Sequence, residues 1–339
     1  EPESIFGGTA AIGTVSLSRL GGAVVSLMTS HPDLVKLPTT VDVPEQSLTA
    51  TFEAISQRVT AVTTVSIEAR VGGSVVQTAT LTLIPTQVDY IQWTSTYILG
   101  GNPASGLVWL TAEAPVDTPV TIGYSYSGWS GPSFVVTVPA GQTSAPFTIP
   151  TPRTETVRTY EVEATCGVTI MSRFSFGPYA VDSLTLDRTQ AFDTQRVNLQ
   201  ITLNGAAPAG GVEVALASSY PDLTPLPAVI TVPQGQSSLV VPIDLPIGFS
   251  GTANLSATLY SASKSVTLTV DLIRVTSYTL SSPAIYAGES VIATVGLNAA
   301  PGTTWSFLVQ PFGPARYEVL LPPVVTVDSG QTSKTFTIE

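Results

Sequence analysis

Charge is scarce in this chain. Asp, Glu, Lys and Arg together make up only 11% of 339 residues, and lysine occurs just three times, at Lys36, Lys264 and Lys334. The 13 basic residues are scattered among 24 acidic ones, for a net charge of −11. Phosphate backbones demand a clustered basic face, so no nucleic-acid partner is expected. Cys166 is the only cysteine, which rules out an intrachain disulfide, a zinc cluster and a redox pair. His31 is the only histidine. No apolar run reaches the length of a membrane span, and no stretch sustains helical spacing for three turns. The opening Glu1–Pro2–Glu3 has neither the basic nor the apolar region of a signal peptide, so a mature form or an excerpt is expected.

What the chain does hold is punctuation and β-formers. Twenty-seven Gly and 27 Pro are spread without a short period, and Val, Thr, Ile and Tyr fill the stretches between them. With 43% hydrophobic residues, the composition is too apolar for disorder. The propensities predict an all-β protein of many short strands.

One phrase recurs. "VTVPAGQTSAPFTI" at Val136–Ile149 returns as "ITVPQGQSSLVVPI" at Ile230–Ile243 and "VTVDSGQTSKTFTI" at Val325–Ile338, with a worn copy, "VDVPEQSLTATFEAI", at Val41–Ile55. Its glycine falls at Gly141, Gly235 and Gly330, intervals of 94 and 95 residues, and the next step back lands on Gln46. "SHPDLVKLP" at Ser30–Pro38 matches "SYPDLTPLP" at Ser219–Pro227, two periods on. Val88, Val181 and Val275 each open a similar short segment, and the runs 65–73, 160–168 and 253–261 alternate alike. Several marks on one period define a repeat. The boundaries predicted are 1–86, 87–179, 180–273 and 274–339. Each copy reads as six to eight strands of a two-sheet sandwich. In the recurring phrase Val136 and Val138 share a strand face, Pro139 ends the ladder, and Gly141 supplies a positive φ. Phe147 and Ile149 then resume alternation on the next strand. Gly141, Gly235 and Gly330 are therefore structural turn residues.

The pattern in "GGVEVALASSYPDLTPLPAVITVPQGQSS" (Gly210–Ser238), eroded in the first copy as "GGAVVSLMTSHPDLVKLPTTVDVPEQS", resembles the bacterial immunoglobulin-like repeats found in tandem in large secreted and cell-surface proteins. The resemblance covers the whole chain. It implies extracellular sandwiches acting as spacer, stalk or adhesive module and specifies no ligand; the residues add no catalytic chemistry, so a structural spacer, stalk or filament-forming segment without catalysis is expected. Accessory domains of a secreted enzyme are a further reading.

The ends of the chain fall inside a repeat. "IFGGTAAIGTVSL" (Ile5–Leu17) matches "IYAGESVIATVGL" (Ile285–Leu297), so the first copy is expected to lack its opening strand and the fourth its last two, about 30 residues. Either a longer array or strands from another molecule would complete them. Glu1–Ser4 is too short to be a donor, so an excerpt is the expected arrangement. Neighbouring repeats of the same or an identical chain are thus expected partners. Short joints with no Gly/Ser spacer predict a rod of units roughly 40 Å long.

Few residues suggest chemistry. His31 has only Ser30 and Asp33 nearby in a turn, and Tyr220 replaces it two periods on. Cys166 alternates with Val162 and Ala164, as Ile67, Ala69, Val71 and Leu255, Ala257, Leu259 do in sister copies, and reads as core. Calcium at the joints would have to use Asp89, Asp182 and Asp271, which stand singly. "YSYSGWSGPSF" (Tyr124–Phe134) is aromatic beyond its sisters, making Tyr126, Trp129 and Phe134 candidate binders of a glycan or a surface protein, with Tyr124 facing inward. Trp305 and Phe307 read as core, with Phe312 and Tyr317 as loop cover.

Overall fold

The computed structural model describes residues 3–286, 288–312 and 319–339; Tyr317 lies outside them. Strands joined by turns and irregular loops make up the described residues, and no helix occurs among them. The chain divides into two compact units, Glu1–Pro178 and Tyr179–Glu339. Tyr179, counted with the second repeat by the period, is buried in the second unit and donates its hydroxyl to the Ala206 carbonyl at 2.8 Å.

Among the described residues, no sheet crosses from one repeat to the next. In the second repeat one sheet holds Val88–Trp93, Ala104–Leu110 and Ser144–Ile149, all antiparallel. The facing sheet runs from Tyr97–Leu99 through Val168–Gly177, Arg158–Cys166 and Thr118–Tyr126 to Phe134–Val138. The third repeat repeats this order with Val181–Leu186, Arg196–Leu203 and Ser238–Asp244 against Gln190–Phe192, Ala262–Asp271, Gly251–Leu259, Val212–Ser218 and Val229–Val232. This is the immunoglobulin-like sandwich. Alternation drives it: Val120, Ile122 and Tyr124 are buried on one strand, with Val162 and Ala164 beside them and Val108, Phe147 and Ile149 opposite.

The first repeat pairs Ala10–Ser16 with Thr49–Ser56 and packs them on a five-stranded sheet. That sheet begins with Ser4–Phe6, parallel to Ser74–Ile84, a three-residue strand too short for its alternation to be visible in sequence. Val71, expected on the core face, is 42% exposed because the register shifts between Ala69 and Arg70.

The fourth repeat has one sheet of Val275–Leu280, Val291–Leu297 and Ser333–Ile338 and a two-stranded partner, Trp305–Leu308 with Val324–Val327. Every residue of Val275–Leu280 is exposed, whereas its equivalents bury Val88 with Ile91 and Val181 with Leu184. In the second and third repeats the last hairpin covers those positions; no such hairpin faces Val275–Leu280 among the described residues. Trp305 and Phe307 are half-buried against Val295, Leu297 and Val327. Phe312, expected to cover a loop, is fully exposed, since its segment leaves the sheet after Leu308.

The recurring phrase is a four-residue turn. The Gln142 amide donates to the Pro139 carbonyl at 3.0 Å, as Gln236 does to Pro233 at 3.0 Å and Gln331 to Asp328 at 3.1 Å. Gly141, Gly235 and Gly330 have φ of 77°, 78° and 80°. Nothing lies within 4 Å of where their Cβ would stand, so the backbone angle, not space, requires glycine. Their amides donate to Ala114, Ala207 and Pro301 carbonyls at 2.8, 2.9 and 2.9 Å, docking each turn on its own sandwich.

Joints within each unit rest on close backbone approach and polar clasps. Between the first two repeats, a Cβ on Gly8 would lie 2.0 Å from Pro115. Cys166 is buried beside the Thr86 carbonyl, 3.9 Å away, with the Arg58 guanidinium 3.8 Å from its sulfur. Burial pushes this thiol up, opposed by Arg58, so it is a core thiol rather than a nucleophile. At the end of the third repeat that leads into the fourth, buried Asp193 accepts from the amides of Ile273 at 2.7 Å and Gly248 at 2.9 Å, and Ile273 packs with Val295 and Leu297 of the fourth. The Gly302 amide donates to Thr194 Oγ1 at 3.1 Å, and Gln195 Nε2 to the Ala300 carbonyl at 2.9 Å.

Two stability effects follow. Gly235→Ala forces an L side chain into the left-handed region and is expected to lower unfolding free energy by about 1 kcal/mol in urea titration; an unchanged midpoint would show that the turn does not need that angle. Asp193→Ala strands two amides, at a cost of about 2 kcal/mol, read in the same titration; a neutral effect would remove it from the joint.

Candidate ligand-binding surface on the second repeat

Tyr126 and Trp129 are brought together; Phe134 is not. Strand Thr118–Tyr126 turns back through Ser127 and Gly128 into Trp129–Ser130, so that Tyr126 and Trp129 are directly cross-strand. Both turn residues are left-handed, with φ of 43° and 79°. This is a two-residue hairpin whose twist suits the strands on either side. The Gly131 amide then donates to the Tyr124 carbonyl at 2.9 Å. A Cβ on Gly131 would lie 2.3 Å from two Tyr124 ring carbons, so only glycine lets the chain pass over that ring.

The rings form a graded cluster from core to surface. Tyr160 is fully buried and touches Tyr124, Tyr126, Phe174 and Phe176 with centroids 4.8–5.4 Å away. Trp129 stacks over Tyr160 at 6.1 Å and 19° and lies 5.3 Å from Tyr126. It remains 45% exposed. Arg158 places its guanidinium carbon 5.5 Å from the Tyr126 ring centroid, a cation–π contact. Phe134, by contrast, turns inward against Phe147 at 6.4 Å.

Sequence reasoning missed Arg158 and Tyr160, which sit on the strand Arg158–Cys166 far along the chain from the aromatic loop. It also missed a second aromatic pair. Tyr90 and Trp109 oppose one another on the outer face of the other sheet, stacked at 5.7 Å and 8°. Trp109 donates to Gln92 Oε1 at 3.1 Å, so its polar atom is already engaged, and the pair strengthens the sheet.

Elsewhere, candidate chemistry stays dispersed. Ser30 Oγ lies 2.8 Å from His31 Nδ1 and also accepts from the Ser66 amide at 3.0 Å, in an exposed turn. Asp89, Asp182 and Asp271 are exposed, and no group of three or more His, Cys, Asp or Glu suited to a metal occurs among the described residues. The carboxylate that does occupy a joint, Asp193, is committed to amide donors. No helix among the described residues is long and apolar enough to cross a membrane.

No protein-family model and no curated protein matches this chain. Among solved structures, it is similar to a chain of the Dpr2 Ig1–Ig2 complex with DIP-Theta Ig1–Ig3, at 10% identity and TM-score 0.35, covering 80% of this chain and 97% of that one. The mouse nectin-like molecule 4 ectodomain aligns at 9% identity and TM-score 0.35, over 79% and 96% of the two chains. The ICAM-5 ectodomain fragment aligns at 13% identity and TM-score 0.29, over 98% and 90%. The immunoglobulin-like character of this chain stands on its own strand order.

Burial, then the neighbouring phenols of Tyr126 and Tyr124, push the Tyr160 hydroxyl up to about 12 from its ordinary 10.0. The folded state therefore holds this proton more tightly than the unfolded chain. The resulting stabilisation is complete below pH 10 and is lost as pH rises through about 12. The urea midpoint should fall across that window, and Tyr160→Phe should flatten the fall; equal slopes in both proteins would contradict this environment.

Proposed function

We propose that this chain is a structural spacer of an extracellular or cell-surface protein: sandwich repeats in series, with short clasped connections between the two repeats of each unit. The single observation that carries this reading is that, among the described residues, every sheet is confined to one repeat, while the joints within each unit are tied by amide hydrogen bonds and close backbone contacts. Load passed along the chain would enter and leave each sandwich through strands that are hydrogen-bonded along their length, as in the nine-pair ladder between Arg158–Cys166 and Val168–Gly177. The extracellular setting rests on the resemblance of the repeat pattern to secreted tandem arrays.

A second reading, an adhesive or carbohydrate-binding module through the aromatic loop, is favoured by the exposed indole of Trp129. Its hairpin is absent from the third repeat, where the equivalent strand Val212–Ser218 passes directly into the turn at Tyr220.

Pulling the chain by its ends tests the spacer. Separate rupture events are expected, with the second and third repeats each releasing about 300 Å of contour length. A single rupture of the whole chain, or featureless extension at low force, would contradict it.

A further inference from the structure

We propose that Trp129, Tyr126 and Arg158 form a binding site for a neutral saccharide. The proposal rests on the binding reading of the aromatic loop and adds to it a cationic donor and a ligand class.

The hairpin that carries Trp129 is an addition to the fold. In the first and third repeats the equivalent strands Ala23–Thr29 and Val212–Ser218 are seven residues long, whereas Thr118–Tyr126 runs for nine and is followed by Trp129–Ser130. The sister sandwiches fill the Tyr160 position with the fully buried residues Val65 and Ala253 and close without any such hairpin. One face of Trp129 covers Tyr160; the ring still leaves 45% of the residue exposed. Its indole N–H has no hydrogen-bond partner among the described residues.

Arg158 is equally uncommitted. Arg70, Arg173 and Arg196 are tied to Glu68, Glu161 and Asp244, but Arg158 has no carboxylate partner among the described residues. Its guanidinium is held over Tyr126, the ring that also touches Trp129. The surface thus offers an apolar ring face and, around the same tyrosine, a fork of N–H donors.

A pyranose matches that combination. Its C–H face lies against an aromatic ring, and its rim hydroxyls accept from guanidinium and indole donors. A neutral ligand is favoured over a polyanion because the chain carries −11 overall. The left-handed Ser127–Gly128 turn and the hydrogen bond from the Gly131 amide to the Tyr124 carbonyl set the hairpin before any ligand arrives, so little ordering opposes binding.

Affinity electrophoresis of the full chain tests this, with β-glucan, galactomannan and xyloglucan as neutral probes and polygalacturonate and poly-L-glutamate as charged ones. At least one neutral probe is expected to retard the protein, with Kd raised tenfold or more in Trp129→Ala and in Arg158→Gln. Trp129→Leu, which keeps an apolar cover over Tyr160 without a ring, should show the same loss, and thermal melting checks that each variant folds. Retardation by no probe sinks the binding reading and this proposal together. Loss in both Trp129 variants with Arg158→Gln unaffected leaves the aromatic loop as a binder and overturns the site proposed here. Stronger retardation by polygalacturonate overturns the ligand class, and by poly-L-glutamate points instead to an acidic peptide.

Discussion

Side-chain alternation along short strands gives every sheet of this chain one apolar face that needs a facing sheet to cover it. A three-stranded sheet such as Val88–Trp93 with Ala104–Leu110 and Ser144–Ile149 has an apolar face and no means of burying it alone. The last hairpin of the repeat, Arg158–Cys166 with Val168–Gly177, supplies the opposing face through Tyr160, Val162, Ala164, Phe174 and Phe176. In the fourth repeat no hairpin faces Val275–Leu280 among the described residues, and all six residues of that strand stand exposed. The core of the second repeat is its own, whereas Ile273 and Phe192 of the third pack with Val295, Leu297 and Val327 of the fourth.

Polar detail then sets how copies connect. Turns that return the chain, at Gly141, Gly235 and Gly330, donate their glycine amides inward to their own sandwich. Joints use a different device, in which backbone from one repeat approaches the next so closely that only Gly8 or Gly302 fits. Buried Asp193 shows why a carboxylate suits such a place. Its two oxygens satisfy amides from two segments that no sheet would pair, and burying those amides alone would be costly.

Much of this was legible in the sequence because period-2 alternation and a 95-residue repeat are long, redundant signals. The core positions Val136, Val138, Phe147 and Ile149 could be read directly from the recurring phrase. Single-residue events could not. The register shift that exposes Val71 leaves no compositional trace, and three-residue parallel strands such as Ser4–Phe6 are too short to show a period. At the aromatic surface, the turn around Ser127–Gly128 flagged Trp129, but Phe134 was grouped with it by proximity in sequence although it faces the core. Arg158 and Tyr160 were invisible as partners because only the sheet brings strands some thirty residues apart together.

The site and the scaffold are linked by size. Placing Tyr160 where sister repeats have small or β-branched residues enlarges the core end of the second sandwich, and the added hairpin covers it with an indole that also faces outward. Such a change alters one repeat without touching the others, as serial construction allows. The most direct measurement of that independence is native-state hydrogen exchange as a function of low denaturant. Amides should fall into blocks that coincide with the repeats, the ladder of Arg158–Gly177 opening with a free energy distinct from that of Gly251–Asp271. One common opening energy across those boundaries would contradict the account.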